Sequence, residues 1–316
     1  MRAALLPGFG GPDVLQIEGT PMPTQAIGEV FVKVLAAGVN PIDAKTRAGG
    51  GAAKLIRQFP AIIGVDFCGV VEKPAFDSHP LQPGALVYGL LPVPRVSGSY
   101  AEYATAHVSM IARAPSSVSP TIAAGLPCAA LTAWGCVVST GKVERGQRVL
   151  IHAGAGGVGH VAVQLAKRAG AHVVATASAR NVDWLLQLGA DEVIDYSSKR
   201  FEVETGDIDL VIDLIGNVKD ETGTRSLKVM RKGGLLISVP TGSWPTFREE
   251  AAAAGMRASD IKAISDTSTL NAIAAIVDSG ELKLEVSETL PLAQVAGAHE
   301  LLERGHVRGK IVLEIP

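Results

Sequence analysis

Charge of one sign, paired cysteine and long unbroken hydrophobic runs are all missing from this 316-residue chain. The 29 basic residues nearly balance the 31 acidic ones, so there is no net field to gather nucleic acid, and a small-molecule partner is expected. Three cysteines cannot all pair with one another, and Cys128 and Cys136 share an apolar stretch, which reads as reduced thiols without a disulfide framework. Residues 114–141 carry no charge, but Pro115, Pro120, Gly125, Pro127 and Gly135 interrupt them. A membrane-spanning helix takes ~20 predominantly apolar residues, so a buried helix is expected there. The opening residues lack the apolar core of a signal peptide, and a cytoplasmic protein is expected.

Catalytic signatures are equally scarce. There is no HExxH, no GxSxG and no GxxxxGK[ST], which removes the usual pointers to metalloprotease, esterase and P-loop chemistry. Tyr196 is followed by Lys199, one residue short of a Tyr-x-x-x-Lys pair, and the seven histidines form no cluster. His152 and His160 flank a glycine-rich loop and read as packing residues.

What is present is a hydrophobic fraction of 47% and a length that calls for two cores. Up to about residue 119 the chain shows short Val-rich runs, such as 29–35 and 67–72, broken by Gly and Pro clusters, a pattern of strands and turns. From about Val149 the runs VLIHA, AHVVAT, DEVIDY, IDLVIDLIG and GGLLISVP alternate with longer stretches, as parallel βαβ units do. Val158, Val161, Ala162, Leu165, Ala166 and Ala169 recur at helical steps and form one apolar face. Helices are expected over 270–277 and 294–303, with strands over 286–290 and 310–315.

Gly154, Gly156 and Gly159 make a G-x-G-x-x-G between the strand VLIHA and that amphipathic helix. The first glycine permits a tight turn, the second lets backbone approach a pyrophosphate, and the third lets helix and strand pack closely. Unpaired amides at the helix start then favour the anion, and Gly157 and Val158 belong to the same loop. An NAD site carries an acidic residue about 20 positions onward. Here the second strand runs instead into Ala177, Ser178, Ala179 and Arg180, and an Arg holds a 2′-phosphate that a carboxylate would repel. NADPH is therefore the expected cofactor.

The stretch GQRVLIHAGAGGVGHVAVQLAK (146–167) resembles the signature of the zinc-independent quinone oxidoreductase and zeta-crystallin branch of the medium-chain dehydrogenase/reductases. GVNPID (38–43), GVDFCGVV (64–71), GSYAEY (98–103), LTAW (131–134) and GKIVLEI (309–315) extend the resemblance over nearly the whole chain. It implies an α/β protein with a GroES-like partial β-barrel catalytic domain, residues 1–119 and 285–316. A Rossmann doubly wound parallel-sheet domain, residues 120–284, would bind the cofactor, with a cleft between the two. By resemblance Asn40 and Asp43 border the nicotinamide end, Thr132 contacts the carboxamide or the substrate, and Tyr196 lies beside the adenosine phosphate. Lys45 and Asp66 are second candidates. Gly216 and Val239, each after a strand, would let the nicotinamide ribose approach. Arg308 and Lys310, two cations around a glycine, would reach the cofactor phosphates. A homodimer through the Rossmann domain is implied as well, with 255–263 as a sheet edge.

The zinc-dependent relatives hold their metal with Cys, His and Cys. Here those positions resemble Asn40, Val65 with Asp66, and Cys128, and one thiol does not make a four-coordinate zinc site. Without metal, hydride transfer to a quinone or an α,β-unsaturated carbonyl is the chemistry expected, because developing charge on the acceptor oxygen needs only hydrogen-bond donors or water. Asn40 offers an amide that would orient such a carbonyl. Two alternatives stay open. An enoyl-thioester reductase is weakened by the lack of any aromatic between Asp43 and Phe59, where those relatives place a Tyr. A non-catalytic NADPH-binding structural or regulatory protein would use nearly the same residues.

Overall fold

The computed structural model describes residues 1–92, 98–218 and 220–316, which form two compact units. One joins Met1–Leu131 to Ser265–Pro316, and the other is Thr132–Ile264.

In the Thr132–Ile264 unit the β-rich runs become a six-stranded sheet in the order Glu192–Asp195, His172–Ala177, Arg148–Ile151, Ile208–Asp213, Met230–Ser238, Arg257–Asp260. Every neighbouring pair is parallel. Numbered along the chain the order is 3-2-1-4-5-6, the doubly wound arrangement, whose ligands bind beyond the carboxyl ends of the strands where the order reverses. The predicted stripe forms the helix Gly159–Arg168, and Val161, Ala162, Leu165 and Ala166 are buried. The Arg257–Asp260 strand lies at one edge of the sheet, within the segment expected to supply an edge.

The other unit is largely antiparallel. Its seven-stranded sheet runs Val286–Pro291, Lys310–Glu314, Glu29–Val39, Asp66–Lys73, Leu86–Leu90, Ile111–Arg113, with Tyr103–His107 also pairing Glu29–Val39. A three-stranded sheet places Arg2–Leu6 between Gln16–Gly19 and Ala61–Ile62. Leu6, Val32, Phe67, Tyr100, Ile111 and Leu313 belong to one hydrophobic core there. The last strand rejoins this unit through register Ile311↔Val39 and Leu313↔Ala37.

Compactness draws the boundary between units at Leu131 and Ile264, whereas the resemblance gave residues 120–131 and 265–284 to the cofactor domain. The reason is local packing: the Tyr88 hydroxyl donates to the Leu270 carbonyl at 2.6 Å, and the Cys128 amide donates to Asp66 at 2.7 Å. The uncharged stretch is helical over Pro120–Trp134 and continues as a wider turn over Gly135–Thr140. Pro120–Thr140 is long and apolar enough to cross a membrane, yet 67% of its most apolar window is buried inside the fold, as a core helix is.

Candidate functional site

The glycine loop sits where the sheet order reverses. Its first backbone contact, Gly154 N–H to the Thr176 carbonyl at 2.9 Å, ties it to the neighbouring strand. Ala153 adopts φ 49°, a left-handed conformation that L side chains rarely take, and its carbonyl accepts from Gly156 N at 2.9 Å. That carbonyl fills the space against the helix start, and a Cβ on Gly159 would lie 2.2 Å from it. A Cβ on Gly154 would press the Ala175 side chain at 2.9 Å, whereas one on Gly156 would meet only the Ala153 carbonyl, at 3.3 Å. Two glycines are thus needed for packing and the middle one leaves its outer face open, a cradle that fits a pyrophosphate at a helix N-terminus.

Five more predicted cofactor residues gather at the same ends of the strands. Ser178 and exposed Arg180 follow the second strand, and Tyr196, 48% exposed, follows the third, its N–H on the Ala177 carbonyl at 3.1 Å. Gly216, with φ 72°, and Val239 follow the fourth and fifth. Asp213, unremarked in the sequence reading, closes the fourth turn: its Oδ1 accepts from Ile215 N at 2.9 Å and Gly216 N at 2.8 Å. Its Oδ2 is buried without a partner among the described residues, and burial raises its pKa while the amides oppose the rise. The signal was a carboxylate ending the apolar run of Leu210, Val211 and Ile212.

The flanking histidines are structural, as expected. His152 bonds Thr176 at 3.1 Å and Ser226 at 2.8 Å, and burial pushes its pKa down to about 3, so it is neutral. His160 Nδ1 donates to the Gly156 carbonyl at 2.8 Å and its ring lies beside Trp184.

The first unit holds a second polar centre. Asn40 takes extended φ −130° and ψ 153°, Pro41 opens the helix Pro41–Arg47, and Asp43 reaches back to accept from Asn40 N at 2.9 Å. In this way a helix start carries both predicted residues. Asn40 Nδ2 donates to Asp66 Oδ2 at 2.9 Å, and Asn40 Oδ1 accepts from the Lys310 ammonium. Lys310 also donates to the Val39 carbonyl at 3.0 Å and lies 3.5 Å from Asp66. Pro127 interrupts its helix, and the next amide, Cys128 N–H, serves Asp66 Oδ1.

This geometry corrects two expectations. Lys310 is 4% exposed and its ammonium turns inward to Asn40 and Asp66, so it is neither a phosphate contact nor a surface charge. The antiparallel pairing of Ile311 with Val39 places it there. The Asn40 amide, expected to orient a carbonyl, is committed at both ends to Lys310 and Asp66. Arg308 is half-buried, Lys45 is exposed, and Thr132 is buried at the first position of the other unit.

Electrostatics separate the two carboxyls. Burial raises Asp66 to about 6 against the pull of Lys310, Asn40 and Cys128. Burial, with Asp66 as a like-charged neighbour, raises Asp43 to about 7. The Tyr100 hydroxyl donates to Asp43 at 3.1 Å and lies 3.3 Å from His299 Nε2. Neither Tyr100 nor His299 was singled out from sequence.

Comparison with known proteins agrees with this architecture. Residues 26–116 match the family model described as alcohol dehydrogenase GroES-like domain, and residues 188–313 match that of zinc-binding dehydrogenase. The Arabidopsis thaliana NADPH-dependent alkenal/one oxidoreductase is 33% identical over 99% of this chain and 79% of its own length. The quinone oxidoreductase structure from Coxiella burnetii is 38% identical, with a TM-score of 0.94 over 100% of this chain and 99% of that one. The Escherichia coli quinone oxidoreductase complexed with NADPH is 25% identical, with a TM-score of 0.88 over 99% of this chain and 100% of that one.

Proposed function

The chain belongs to the zeta-crystallin-like quinone oxidoreductase branch of the medium-chain dehydrogenase/reductases, and from that premise we propose how its two polar centres share the work. It is an NADPH-dependent oxidoreductase that transfers hydride to a quinone or an α,β-unsaturated carbonyl. The observation that carries the metal-free reading is the occupation of Asp66. Its carboxylate is taken by Lys310, the Asn40 amide and the Cys128 amide, while Asn40 and Val65 offer no thiolate or imidazole.

When bound, NADPH supplies the hydride. Gly154, Gly156, Gly157, Val158 and Gly159 hold the pyrophosphate on the amides of the helix start, and Ser178 and Arg180 take the 2′-phosphate. Tyr196 lies along the adenosine side, with Gly216 and Val239 toward the nicotinamide ribose. Arg308 remains a candidate for a phosphate, which Lys310 does not. Thr132 contacts the carboxamide or the acceptor. The acceptor binds at the Asn40 end of the first unit.

Measuring NADPH oxidation with ortho- and para-quinones, short enals and an enoyl thioester tests this reading. Turnover with quinones or enals is expected, and tight NADPH binding with no turnover on any acceptor would mean a binding protein. We propose that the enzyme acts in the cytoplasm, in keeping with Cys68, Cys128 and Cys136 lying outside any disulfide. A homodimer through the Arg257–Asp260 edge is proposed too, since an open edge exposes unpaired backbone groups. Light scattering that gives only the monomer mass would refute it.

A further inference from the structure

Asp43 and Asp66 share one buried polar centre, and among the described residues it is Asp66 that pairs with a cation, Lys310 at 3.5 Å. Among the described residues, the hydrogen bonds to the Asp43 carboxyl come from Asn40 N at 2.9 Å and the Tyr100 hydroxyl at 3.1 Å, and both end on Oδ2. A neutral carboxyl whose Oδ2 already accepts twice carries its proton on Oδ1.

His299 decides which way the Tyr100 proton points. Its ring packs edge-on to Tyr100 at 5.8 Å with Nε2 3.3 Å from the hydroxyl, and its Nδ1 is buried with no partner among the described residues. Burial and the Arg47 guanidinium push its pKa down to about 4, so the ring is neutral. Near a guanidinium a lone pair is a better group to leave unpaired than an N–H, which puts the proton on Nε2. His299 therefore donates to Tyr100, and Tyr100 donates to Asp43.

We propose that Asp43 is the proton source that completes the reduction, and that Tyr100 and His299 are positioning residues that leave its acidic proton on Oδ1 by donating in series onto Oδ2. This rests on the function proposed above. Hydride adds to the electron-poor carbon of the acceptor, and the displaced electron pair moves to the acceptor oxygen. The Oδ1–H bond of Asp43 breaks as an O–H bond forms on that oxygen. The carboxylate left behind takes a proton from solvent once product departs.

The groups around Asp43 agree with this role. Asp66, on the strand Asp66–Lys73, disfavours a second negative charge, and Lys310, on Lys310–Glu314, favours it. Arg47, on the same helix as Asp43, bonds Glu303 of the helix Val295–Arg304, which also carries neutral His299. Burial outweighs these, and with Asp43 pushed up to about 7 the acid form persists to neutral pH.

The test is kcat against pH at saturating NADPH with a quinone and an enal, with thermal unfolding followed for each variant. Wild type should be flat on the acid side and fall about tenfold per pH unit above the Asp43 pKa. Asp43→Asn should lose that limb and run at least about 100-fold slower. Tyr100→Phe removes a donor that favours the carboxylate, so the limb should move up by roughly half to one pH unit. His299→Leu should move it likewise, and His299→Gln, which keeps a donor, should restore it. A purely structural role would lower kcat or stability with the limb in place. A limb unmoved in Tyr100→Phe, or retained in Asp43→Asn, overturns the proposal alone. A wild type that reduces neither acceptor contradicts the function itself and this proposal with it.

Discussion

The glycine-loop end of the Thr132–Ile264 unit favours negative charge, whereas the Asn40 centre of the other unit, with two carboxyls to one ammonium, resists a second one. The first uses backbone: amides at a helix start, with Gly159 and Gly154 packed too closely for any side chain. The second uses side chains: one ammonium, two carboxyls, an amide and a phenol that satisfy one another away from water. Backbone donors are fixed by the fold, so the loop's sensitivity is steric. Side-chain donors hold only while every partner is present, so the Asn40 centre is sensitive to charge.

That contrast predicts a graded set of effects. The largest belongs to Lys310→Ala, which leaves Asp66 buried without its cation and should cost about 3–5 kcal/mol of stability in chemical denaturation. Pairing it with Asp66→Asn should recover most of the loss. A Lys310→Ala protein of unchanged stability would contradict the buried pairing of Lys310 with Asp66. Next is Gly159→Val, whose Cβ would sit 2.2 Å from the Ala153 carbonyl. NADPH affinity, titrated by fluorescence, should fall about 100-fold, or roughly 3 kcal/mol. Arg180→Ala should reduce the preference for NADPH over NADH by about tenfold, seen in kcat/KM for the two cofactors. Equal use of NADH by wild type would contradict the reading of Ser178 and Arg180.

A last effect separates the two regions by pH. His152 falls from 6.5 to about 3 on folding, so its contribution to stability is complete above pH 6.5 and is lost as pH drops toward 3. Asp43 rises from 3.8 to about 7, so its contribution is complete below pH 3.8 and is lost as pH climbs to about 7. Each is worth at most about 1.4 kcal/mol per pH unit, with opposite slopes between these limits. His299, lowered to about 4, acts in the same sense as His152 within the first unit. Unfolding free energies measured from pH 4 to 7 should therefore show a gentler acid slope in His152→Gln and a steeper one in Asp43→Asn. Parallel slopes in both variants would contradict the assigned burial.

The same contrast explains what the sequence revealed. The loop, its helix and the five strand-like runs are local: Gly154 and Gly159 lie five positions apart, and each run reports its own strand. Ser178, Tyr196, Gly216 and Val239 are legible because each follows a recognisable strand end. The other centre joins residues 40, 43, 66, 100, 299 and 310, which meet through antiparallel register and helix packing that no spacing encodes. Hence Asn40 and Asp43 are legible as a motif, while the inward turn of Lys310 and the contacts of Tyr100 and His299 arise only in the tertiary fold. Asp213 fell between the two cases: its position was local, but its unpaired oxygen was not.

Metal-free hydride transfer is most directly tested with NADPH deuterated at the transferable nicotinamide position. Chelator-treated enzyme is mixed with an enal and the product is analysed by mass spectrometry and NMR. One deuterium at the product β-carbon, at an undiminished rate and with well under one zinc per chain, is the predicted result. Product without the label, or a rate that returns only when zinc is added, would contradict it.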